Sequence, residues 1–464
     1  MKIITAVKGM QDMLPGDAEK WKFVETICKN NAQLHGFSEI RTPVVESTEL
    51  FLRGVGETTD VVQKEMYTFE DRGARSITLR PEMTAGAVRA AIEHGLIRDS
   101  LPVKVFYIAS CYRAEKPQAG RLREFHQFGV EMFGTSAPQA DADVISIARE
   151  VIDDLGIDNV SLELNSIGCK ECRSEYHVKL REYFRANEDR LCETCKSRLE
   201  RNPMRILDCK SPVCQGICEH APLMIDSICP DCREHFEGVK SCLDAMDIEY
   251  SINPKIVRGL DYYTRTVFEF VSKDIGAQST VCGGGRYDGL FEEVGGPKMP
   301  SLGFAMGLER ILLTMEAQGI EFPPHDPPLL YLAPVGKAAT ALCAKIAREI
   351  RMSGVTAEYD MVGRSVKAQM KYADKIGVLY TVVIGDDEIA AGTAKLKNME
   401  DGEAEEIQID AIADRVCEIG IGGSFGRLTE LLEGFSAMGN LAEIAGAEEN
   451  PLDLTGLLDF EDKE

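Results

Sequence analysis

Two segments of alternating apolar and polar residues, joined by a polar loop, constrain the fold of this chain more than any other feature. The pattern predicts one β-strand from Val103 to Arg113 and a second from Arg121 to Gly134, after the loop AEKPQAG. Two consecutive strands of this kind form an antiparallel hairpin. Because side chains alternate along a strand, Gln127 and Glu131 are expected on the same face of the second strand.

Helical patterns separate this hairpin from further extended segments. A third extended region is predicted from Ile256 to Val271, before a cluster of three glycines, and a buried helix is predicted from Gly307 to Glu316. Antiparallel strands with helices between them favour an α+β fold over a doubly wound parallel sheet.

The chain is too long for one hydrophobic core, because single cores stop growing at about 250–300 residues. Four prolines in the segment EFPPHDPPLL (321–330) indicate a linker over residues 323–328. Strand and helix patterns then alternate and predict a small α/β domain over 329–424. Residues 425–464 carry ten acidic and two basic side chains and are predicted to form an acidic C-terminal extension.

The charge and the apolar pattern exclude several classes of protein. A net charge of −24 argues against a chain-wide nucleic-acid-binding surface, so any such surface has to be local. No apolar run approaches the roughly 20 residues that a membrane helix needs. The N-terminus also lacks a continuous apolar segment followed by a cleavage site. We therefore expect a cytoplasmic protein with no membrane partner.

Ten of the 15 cysteines fall between Cys169 and Cys242. A disulfide scaffold is the wrong interpretation for a long chain without a secretory signal, which leaves metal binding or reduced thiols. Two CxxC pairs separated by nineteen residues have the spacing of a structural four-thiolate zinc site, with the ligands Cys169, Cys172, Cys192 and Cys195. A second, looser set comprises Cys209, Cys214, Cys229 and Cys232.

Several ordered sequence blocks resemble a known enzyme class. The segment RAEKPQAGRLREFHQFGVE, which begins at Arg113, resembles motif 2 of the class II aminoacyl-tRNA synthetases; RTPVVES (41–47) resembles motif 1 and GFAMGLERI (303–311) resembles motif 3. The blocks TLRPEMTAG (78–86), RGLDYYTRTVFEF (258–270) and GGGRYDGL (283–290) resemble the histidyl-tRNA synthetases within that class. The resemblance covers roughly residues 5–420.

The resemblance implies an organisation and a reaction. An antiparallel-sheet catalytic domain would comprise residues 1–165 and 251–322, a helical Cys-rich insertion domain 166–250, and an anticodon-binding domain 329–424. Motif 1 forms the dimer interface in this class, so a homodimer is implied. The implied enzyme activates L-histidine with ATP, bound with Mg²⁺, to histidyl-adenylate and pyrophosphate. It then transfers histidine to the 3′ end of its tRNA.

The resemblance also assigns residues to ATP. It places Arg113 at the α-phosphate and Arg310 at the γ-phosphate, with Arg258 acting as an electrophile at the α-phosphate; Glu115 and Arg121 complete the ATP-binding set. The chemistry agrees with these assignments, because negative charge builds on phosphate oxygens as pyrophosphate departs and guanidinium groups match those oxygens.

Histidine recognition requires partners for a ring with one donor and one acceptor nitrogen, and a carboxylate and a phenol are suitable. The implied histidine-binding residues are Glu131, Tyr262 and Tyr263 around the ring and Glu82, Thr84 and Gln127 around the amino-acid backbone. For the tRNA acceptor end, Lys116 and Gln118 lie in the motif 2 loop, which reads an extra 5′ guanosine in the family.

Two other functions compete with this interpretation. The ATP-phosphoribosyltransferase regulatory subunit is a non-catalytic paralogue that resembles the catalytic domain alone and usually lacks the anticodon-binding domain. The other alternative is an RNA-binding protein on a decayed synthetase fold. The presence of Arg258, Arg310 and Glu131 argues against both.

Overall fold

The computed structural model describes residues 3–56, 59–207, 209, 211–256, 258–276, 279–323 and 327–422. Its contacts divide the chain into two compact units, with the division between Pro323 and Pro324 at the start of the proline-rich segment. The predicted acidic extension over 425–464 lies outside the described residues. Within the described ranges, no helix is both long enough and apolar enough to cross a membrane.

The first unit is built on a large mixed sheet. Its strands are, in chain order, β1 (Ser38–Glu39), β2 (Val45–Ser47), β3 (Tyr67–Glu70), β4 (Ser76–Leu79), β5 (Val103–Tyr112), β6 (Glu124–Phe133), β7 (Val160–Ser166), β8 (Ser251–Ile252), β9 (Thr264–Ser272), β10 (Thr280–Arg286) and β11 (Ser301–Gly307). The main sheet has the order β1-β5-β6-β11-β10-β9-β7-β8, and β2-β4-β3 form a small separate sheet. Only the edge pairs β1–β5 and β7–β8 of the main sheet are parallel.

The predicted hairpin is present as β5 and β6, with Val103 opposite Phe133 and Tyr112 opposite Glu124. The α+β prediction is therefore confirmed. The third extended region was predicted too long, because its strand begins only at Thr264. The residues before Thr264 leave the sheet and line a cavity instead.

Helices cover one face of the main sheet. The helices of this unit are α1 (Pro15–Leu34), α2 (Thr48–Val55), α3 (Thr84–Glu93), α4 (Pro138–Asp154), α5 (Lys170–Arg185), α6 (Glu193–Arg201), α7 (Pro212–Cys218), α8 (Pro230–Ala245), α9 (Leu290–Glu293) and α10 (Leu308–Gln318). Apolar side chains of α1, α4, α8 and α10 share one core with Phe128 and Val130 of β6. Alternation then places Gln127 and Glu131 on the opposite face, as predicted.

The Cys-rich insertion lies between β7 and β8 and comprises α5 to α8. Its apolar side chains, including Tyr176, Leu180 and Phe184, pack in one core with Val267 of β9 and Phe291 of α9. The insertion is therefore held against the rest of the first unit by burial as well as by the chain connections.

The second unit has a five-stranded sheet. Its strands are β12 (Leu330–Pro334), β13 (Ala357–Tyr359), β14 (Tyr380–Ile384), β15 (Thr393–Asn398) and β16 (Ala404–Gln408), in the order β13-β12-β14-β15-β16. Its helices are α11 (Lys337–Met352), α12 (Val366–Lys375), α13 (Asp386–Ala391) and α14 over residues 412–422. Parallel pairing of β12 with β13 and β14 confirms the predicted α/β domain.

A fully buried ion pair connects three parts of the first unit. Arg286 ends β10 and is not exposed at all; its Nε lies 2.8 Å from Oδ2 of Asp141 on α4, which is also buried. Its Nη groups donate to the carbonyl oxygens of Thr135 and Ala137 at 2.8 and 3.0 Å. Nε2 of His235 on α8 lies 3.3 Å from the same carboxylate. Sheet, core helix and insertion therefore meet at one charged centre.

Replacing Arg286 with Met should destabilise the protein severely, because Asp141 would be left as a buried charge without its partner. The expected loss is about 3–5 kcal/mol in the free energy of unfolding. Urea unfolding followed by circular dichroism measures it. Arg185→Met is the control, since Arg185 forms an exposed ion pair with Glu200 and should change little. Equal unfolding midpoints for the two variants would contradict the role of the buried pair.

Candidate active site

One cavity of about 690 Å³ opens on the sheet face that carries Gln127. Most of the predicted ATP and histidine residues line it: Glu82, Thr84, Arg113, Glu115, Arg121, Gln127, Arg258, Tyr262, Tyr263 and Arg310. The lining brings together residues from loops, from the hairpin and from α10. Of the residues predicted to contact ATP, histidine or tRNA, three do not line it: Lys116, Gln118 and Glu131.

Arg113, Arg121 and Arg310 lie close enough at one end of the cavity for their charges to repel one another. Arg310 is held by its Nε, which donates to the Gly120 carbonyl at 3.0 Å, and by Nη1, which donates to the Thr280 carbonyl at 2.5 Å. Burial and the positive charges of Arg121 and Arg113 lower the pKa of Arg310. Because cations repel each other in a poorly hydrated site, this end is suited to a multiply charged anion.

The other two arginines are also positioned by the hairpin and its loop. Arg113 donates from Nε to the Pro81 carbonyl at 3.0 Å and lies over the Phe125 ring, 5.0 Å from its centre. Arg121 forms an ion pair with Glu115. Burial raises the pKa of Glu115, although Arg121 opposes the effect. Both guanidinium groups are therefore oriented before any ligand arrives.

Arg258 also lines the cavity, from the loop before β9. It forms an ion pair with Glu269, which also accepts a hydrogen bond of 2.9 Å from Oγ1 of Thr280. Burial opposes ionisation, but the charge of Glu269 raises the pKa of Arg258. A Cβ at Gly283 would lie 2.6 Å from Cζ of Arg258, so only glycine leaves room for this guanidinium.

Glu131 lies directly behind the cavity wall and is not exposed at all. Its Oε1 accepts from Oγ1 of Thr84 at 2.7 Å and from the Tyr107 hydroxyl at 3.0 Å, and its Oε2 accepts from the Tyr287 hydroxyl. Burial raises its pKa to about 8. A carboxylate offers about four lone-pair positions, so one remains on Oε2 for a ligand. A side chain at Gly303 would collide with this carboxylate.

Aromatic rings form the wall beside Glu131. The rings of Tyr262 and Tyr263 are 4.7 Å apart, and Tyr287 packs edge-on against Tyr262 at 5.5 Å. Tyr262 and Tyr263 line the cavity while remaining largely buried. The wall is therefore aromatic and largely apolar, which suits an imidazole ring.

Glu82 and Thr84 stand at the start of α3. Glu82 accepts hydrogen bonds from the backbone N–H groups of Thr84 and Ala85, at 2.7 and 3.0 Å. Burial nevertheless raises the pKa of Glu82, more than these hydrogen bonds lower it. Gln127 faces the same space, and its Oε1 lies 3.4 Å from Sγ of Cys111. Together these groups can bind an ammonium group.

Lys116 and Gln118 lie in the loop between β5 and β6. The loop is ordered by a two-way backbone pairing of Gln118 with Arg121, each hydrogen bond 3.0 Å long. The Gln118 side chain lines a neighbouring groove with Trp21 and Pro117 rather than the main cavity. The loop therefore holds Arg121 in the cavity while presenting Gln118 outside it.

Four site residues were not predicted individually from the sequence. Tyr107 and Tyr287 hold Glu131, Glu269 pairs with Arg258, and Thr280 donates to Glu269. Tyr287 lies within the block GGGRYDGL, so its position next to a recognised motif was the available signal. Glu269 stands on β9 within the block RGLDYYTRTVFEF but shows no feature that separates it from an ordinary strand carboxylate.

The predicted grouping of the cysteines is wrong. The first thiolate cluster consists of Cys169, Cys172, Cys229 and Cys232, and the second thiolate cluster consists of Cys192, Cys195, Cys209 and Cys214. Cys169 and Cys172 therefore do not share a site with Cys192 and Cys195. The reason is topological: α5 and α8 lie together, so the chain returns to the first CxxC pair only after the second cluster is complete.

Comparisons with known proteins agree with the geometry. The family model for histidyl-tRNA synthetase matches residues 9–171 and 227–311, and the model for the anticodon binding domain matches residues 330–419. The first match omits most of the insertion. Because the anticodon domain is retained, the regulatory-subunit alternative is set aside.

Full-length relatives extend these matches. A histidine–tRNA ligase of Acetivibrio thermocellus is 54% identical over 411 residues, which is 89% of this chain and 99% of the relative. One of Caldanaerobacter subterraneus is 54% identical over 407 residues, 88% of this chain and 98% of the relative. The crystal structure of apo histidyl-tRNA synthetase from S. aureus is 36% identical, with a TM-score of 0.77, covering 89% of this chain and all of that one. The chain therefore belongs to the histidyl-tRNA synthetase family, the enzymes that join histidine to its tRNA.

Proposed function

We propose that the cavity binds ATP at its arginine-rich end and histidine against its tyrosine wall, and that it forms histidyl-adenylate between them. The observation that carries this proposal is the convergence of Arg113, Arg258 and Arg310 on one space that also contains Glu82 and Tyr262. Histidine-dependent exchange of pyrophosphate into ATP tests it. Absence of exchange in folded protein would leave only a binding role.

The arginines have separate tasks in this proposal. The histidine carboxylate attacks the α-phosphorus, and negative charge then grows on the α-phosphate oxygens and on the departing pyrophosphate. Arg258 and Arg113 stabilise the charge at the α-phosphate, and Arg310 holds the γ-phosphate. Arg121 and Glu115 complete the ATP-binding set. Mg²⁺ enters with ATP as part of the substrate, and Glu115 and Glu309 line the cavity with oxygen atoms that suit it.

Histidine is recognised at both of its ends. Glu82, Thr84 and Gln127 bind the α-amino group and its surroundings. Glu131 accepts a hydrogen bond from one ring N–H with its remaining lone pair. Tyr262 and Tyr263 supply a hydroxyl contact and an apolar aromatic surface. Phenylalanine or leucine would leave the buried carboxyl group unpaired, which provides strong rejection without a separate editing site.

Transfer to tRNA uses surfaces outside the cavity. Lys116 and Gln118 in the loop contact the acceptor end. The second unit, which resembles anticodon-binding domains, contacts the anticodon. We also propose that the protein acts in the cytoplasm, the location that suits a tRNA substrate. Structural zinc bound to the insertion cysteines belongs to the same proposal.

A homodimer is also part of the proposal. The motif 1 segment leads into β2 of the small sheet, and large apolar side chains there face solvent in the single chain. Val44 and Val45 are each 40% exposed, and Phe69 on β3 is 46% exposed. A second copy of the chain would cover them. Analytical ultracentrifugation of the full chain measures the assembly.

Arg258→His should abolish adenylate formation and leave histidine binding mostly intact, because Arg258 acts on charge that develops only in the transition state. Loss of one such group lowers the rate by about 10²–10³-fold. Pyrophosphate exchange gives the rate, and calorimetry gives the histidine affinity. Arg53→His, at an exposed ion pair on α2, is the control and should behave like the unaltered protein. Parallel losses of rate and affinity would contradict a transition-state role.

Histidine affinity should depend on pH through Glu131. Its pKa of about 8 keeps Glu131 protonated at pH 7, whereas the imidazole of free histidine has a pKa of about 6.5 and is neutral. To accept from the ring N–H, Glu131 has to be a carboxylate, so binding at pH 7 releases one proton. Above the Glu131 pKa the carboxylate is already present, and binding releases no proton from it. Histidine affinity should therefore rise by up to about tenfold per pH unit as the pH approaches 8 and then level off.

Glu131→Gln should remove this rise of affinity toward pH 8, because an amide does not titrate in this range, and should weaken histidine binding far more than ATP binding. Calorimetric titration with histidine between pH 7 and 9 measures both effects. The α-amino group titrates equally in the two proteins, so their difference isolates Glu131. Glu163→Gln on β7 is the control and should keep the original slope. An unchanged slope in Glu131→Gln would remove Glu131 from the site.

Gln118→Ala should spare adenylate formation and slow transfer to tRNA. The backbone pairing that positions Arg121 does not involve the Gln118 side chain, so the cavity stays intact. Loss of one hydrogen bond to the acceptor end costs about 1 kcal/mol, or roughly fivefold in rate. Pyrophosphate exchange and single-turnover aminoacylation separate the two steps, with Gln33→Ala on α1 as the control. A matching decrease in exchange would show that the loop is only structural.

A further inference from the structure

The two thiolate clusters of the insertion have the dimensions of mononuclear metal sites. In each cluster, all four Sγ atoms lie within 4.8 Å of one another. Individual pairs are 3.5 Å apart for Cys169 and Cys172 and 3.8 Å apart for Cys192 and Cys209. A tetrahedral zinc ion with Zn–S bonds of about 2.3 Å places its sulfur ligands about 3.8 Å apart.

The ligand chemistry narrows the choice of metal. Thiolates bind soft or borderline cations, and a purely thiolate set excludes Mg²⁺ and Ca²⁺. An iron–sulfur cube is larger than a single ion and would hold its four cysteines farther apart than these clusters do. Tetrahedral four-sulfur coordination is the usual arrangement of a closed structural zinc site.

We propose that the insertion binds two structural zinc ions, one in each thiolate cluster, and that the second ion fixes the insertion wall of the active-site cavity. The second part rests on the proposed function of that cavity.

Backbone N–H groups around both clusters already point to the sulfur atoms. The N–H of Cys229 points to Sγ of Cys172 at 3.1 Å, and the N–H of Cys192 points to Sγ of Cys214 at 3.3 Å. The N–H of Ser211 lies 3.5 Å from Sγ of Cys209. Hydrogen bonds of this kind stabilise a negatively charged sulfur and orient it toward the ion.

Helix starts converge on both clusters. Cys169, Cys192 and Cys229 occupy the N-cap positions of α5, α6 and α8, with the second cysteine of each CxxC pair in the first turn. The positive end of a helix dipole favours the thiolate over the thiol. Two helix starts, those of α5 and α8, meet at the first cluster, which adds to the backbone hydrogen bonds.

The cysteines of the second cluster lie in sequence between the two CxxC pairs of the first cluster. The two clusters therefore have different structural roles. The first cluster joins the start of α5 to the start of α8, through Cys172 and Cys229, which are 57 positions apart. It therefore closes the outer loop of the insertion. The second cluster lies wholly within that loop and ties α6 to Cys209 in the segment before α7 and to Cys214 on α7.

The second cluster borders the active-site cavity. Cys192 and Cys209 line the cavity together with Arg198 and Arg205. Nη2 of Arg198 lies 3.3 Å from Oδ2 of Asp60, and its Nη1 donates to the Arg205 carbonyl at 3.1 Å. A continuous set of contacts therefore begins at the second cluster and runs along α6.

These contacts reach the loop that carries Arg258. The Arg205 guanidinium donates to the carbonyl of Gly259, the residue directly after Arg258, and lies 3.6 Å from the Asp261 carboxylate. Losing the second ion would release α6 and with it Arg205. The Arg258 loop would then lose one of its supports, so the second ion acts as a positioning element rather than a catalytic one.

Elemental analysis of the full chain tests the metal content. The protein is produced in zinc-supplemented medium and purified without chelators and without metal-affinity resin. We expect about two equivalents of zinc per chain, one for each four-thiolate set. About one equivalent or less in folded protein would overturn the proposal. Disulfides within the clusters, seen by mass spectrometry of alkylated, unreduced protein, would also overturn it.

Cobalt provides a geometric check that requires no substitution. Protein produced with Co²⁺ in place of Zn²⁺ should show sulfur-to-cobalt charge-transfer bands and strong visible bands of tetrahedral coordination. Weak bands typical of octahedral cobalt would contradict the assigned ligands.

Single substitutions then separate the two sites. Cys229→Ser and Cys209→Ser should each lower the zinc content by about one equivalent. Cys242→Ser is the matched control, because Cys242 lies on α8 outside both clusters and should leave both ions bound. Unchanged zinc content in both cluster variants would overturn the assignment.

The positioning role is read from pyrophosphate exchange. Cys209→Ser should lower kcat roughly tenfold more than Cys229→Ser does, because only the second cluster borders the cavity. Arg205→Met should reproduce that loss while retaining both zinc ions. Equal kcat values for the two cysteine variants would overturn the positioning role. Pyrophosphate exchange by protein without zinc would reject the proposed metal sites but not the proposed function of the cavity. Bound zinc in protein that shows no exchange would reject the function of the cavity but not the metal sites.

Discussion

The buried pair of Arg286 and Asp141 is the constraint on which the rest of the first unit depends. Neither charge has access to water, so each is tolerable only while the other stays in place. Arg286 belongs to β10 and Asp141 to α4, and His235 on α8 adjoins the same carboxylate. The pair therefore fixes how the helices and the insertion meet the sheet. The next residue along the chain, Tyr287, holds Glu131, so the arrangement extends directly into the active site.

The active site itself concentrates charge that the folded chain does not fully neutralise. Burial and mutual repulsion disfavour the charged form of Arg310, and burial does the same for Glu82 and Glu131. A protein selected for stability alone would not place these groups together. On the proposed function, a polyphosphate and an amino acid with an ammonium group and an imidazole would relieve these costs on binding. These costs would then contribute to specificity, since an uncharged ligand of equal size would relieve none of them.

The sequence predicts the parts of the structure that depend on local pattern, and it fails where distant segments meet. The hairpin of β5 and β6 and the shared face of Gln127 and Glu131 were both visible as periodicity. The Arg286–Asp141 pair joins residues 145 positions apart, and no local pattern reports it. The same reason explains the wrong cysteine grouping: adjacent CxxC pairs look like partners in sequence, but α8 returns to α5. The convergence of three hydroxyl groups on Glu131 was likewise not predictable, because they come from separate elements.

In the insertion, the proposed metal sites and the apolar core would stabilise neighbouring parts of the fold by different means. Away from the cavity, Leu180 and Phe184 pack into an ordinary apolar core, where area removed from water supplies the stabilisation. The wall of the cavity is polar and partly exposed, so burial supplies less stabilisation there. Cys192 and Cys209 are half-buried and line this wall, while their cluster partners Cys195 and Cys214 are buried in the same core as Leu180. On the proposal above, four directional metal–sulfur bonds would connect the core side of the second cluster to the polar wall.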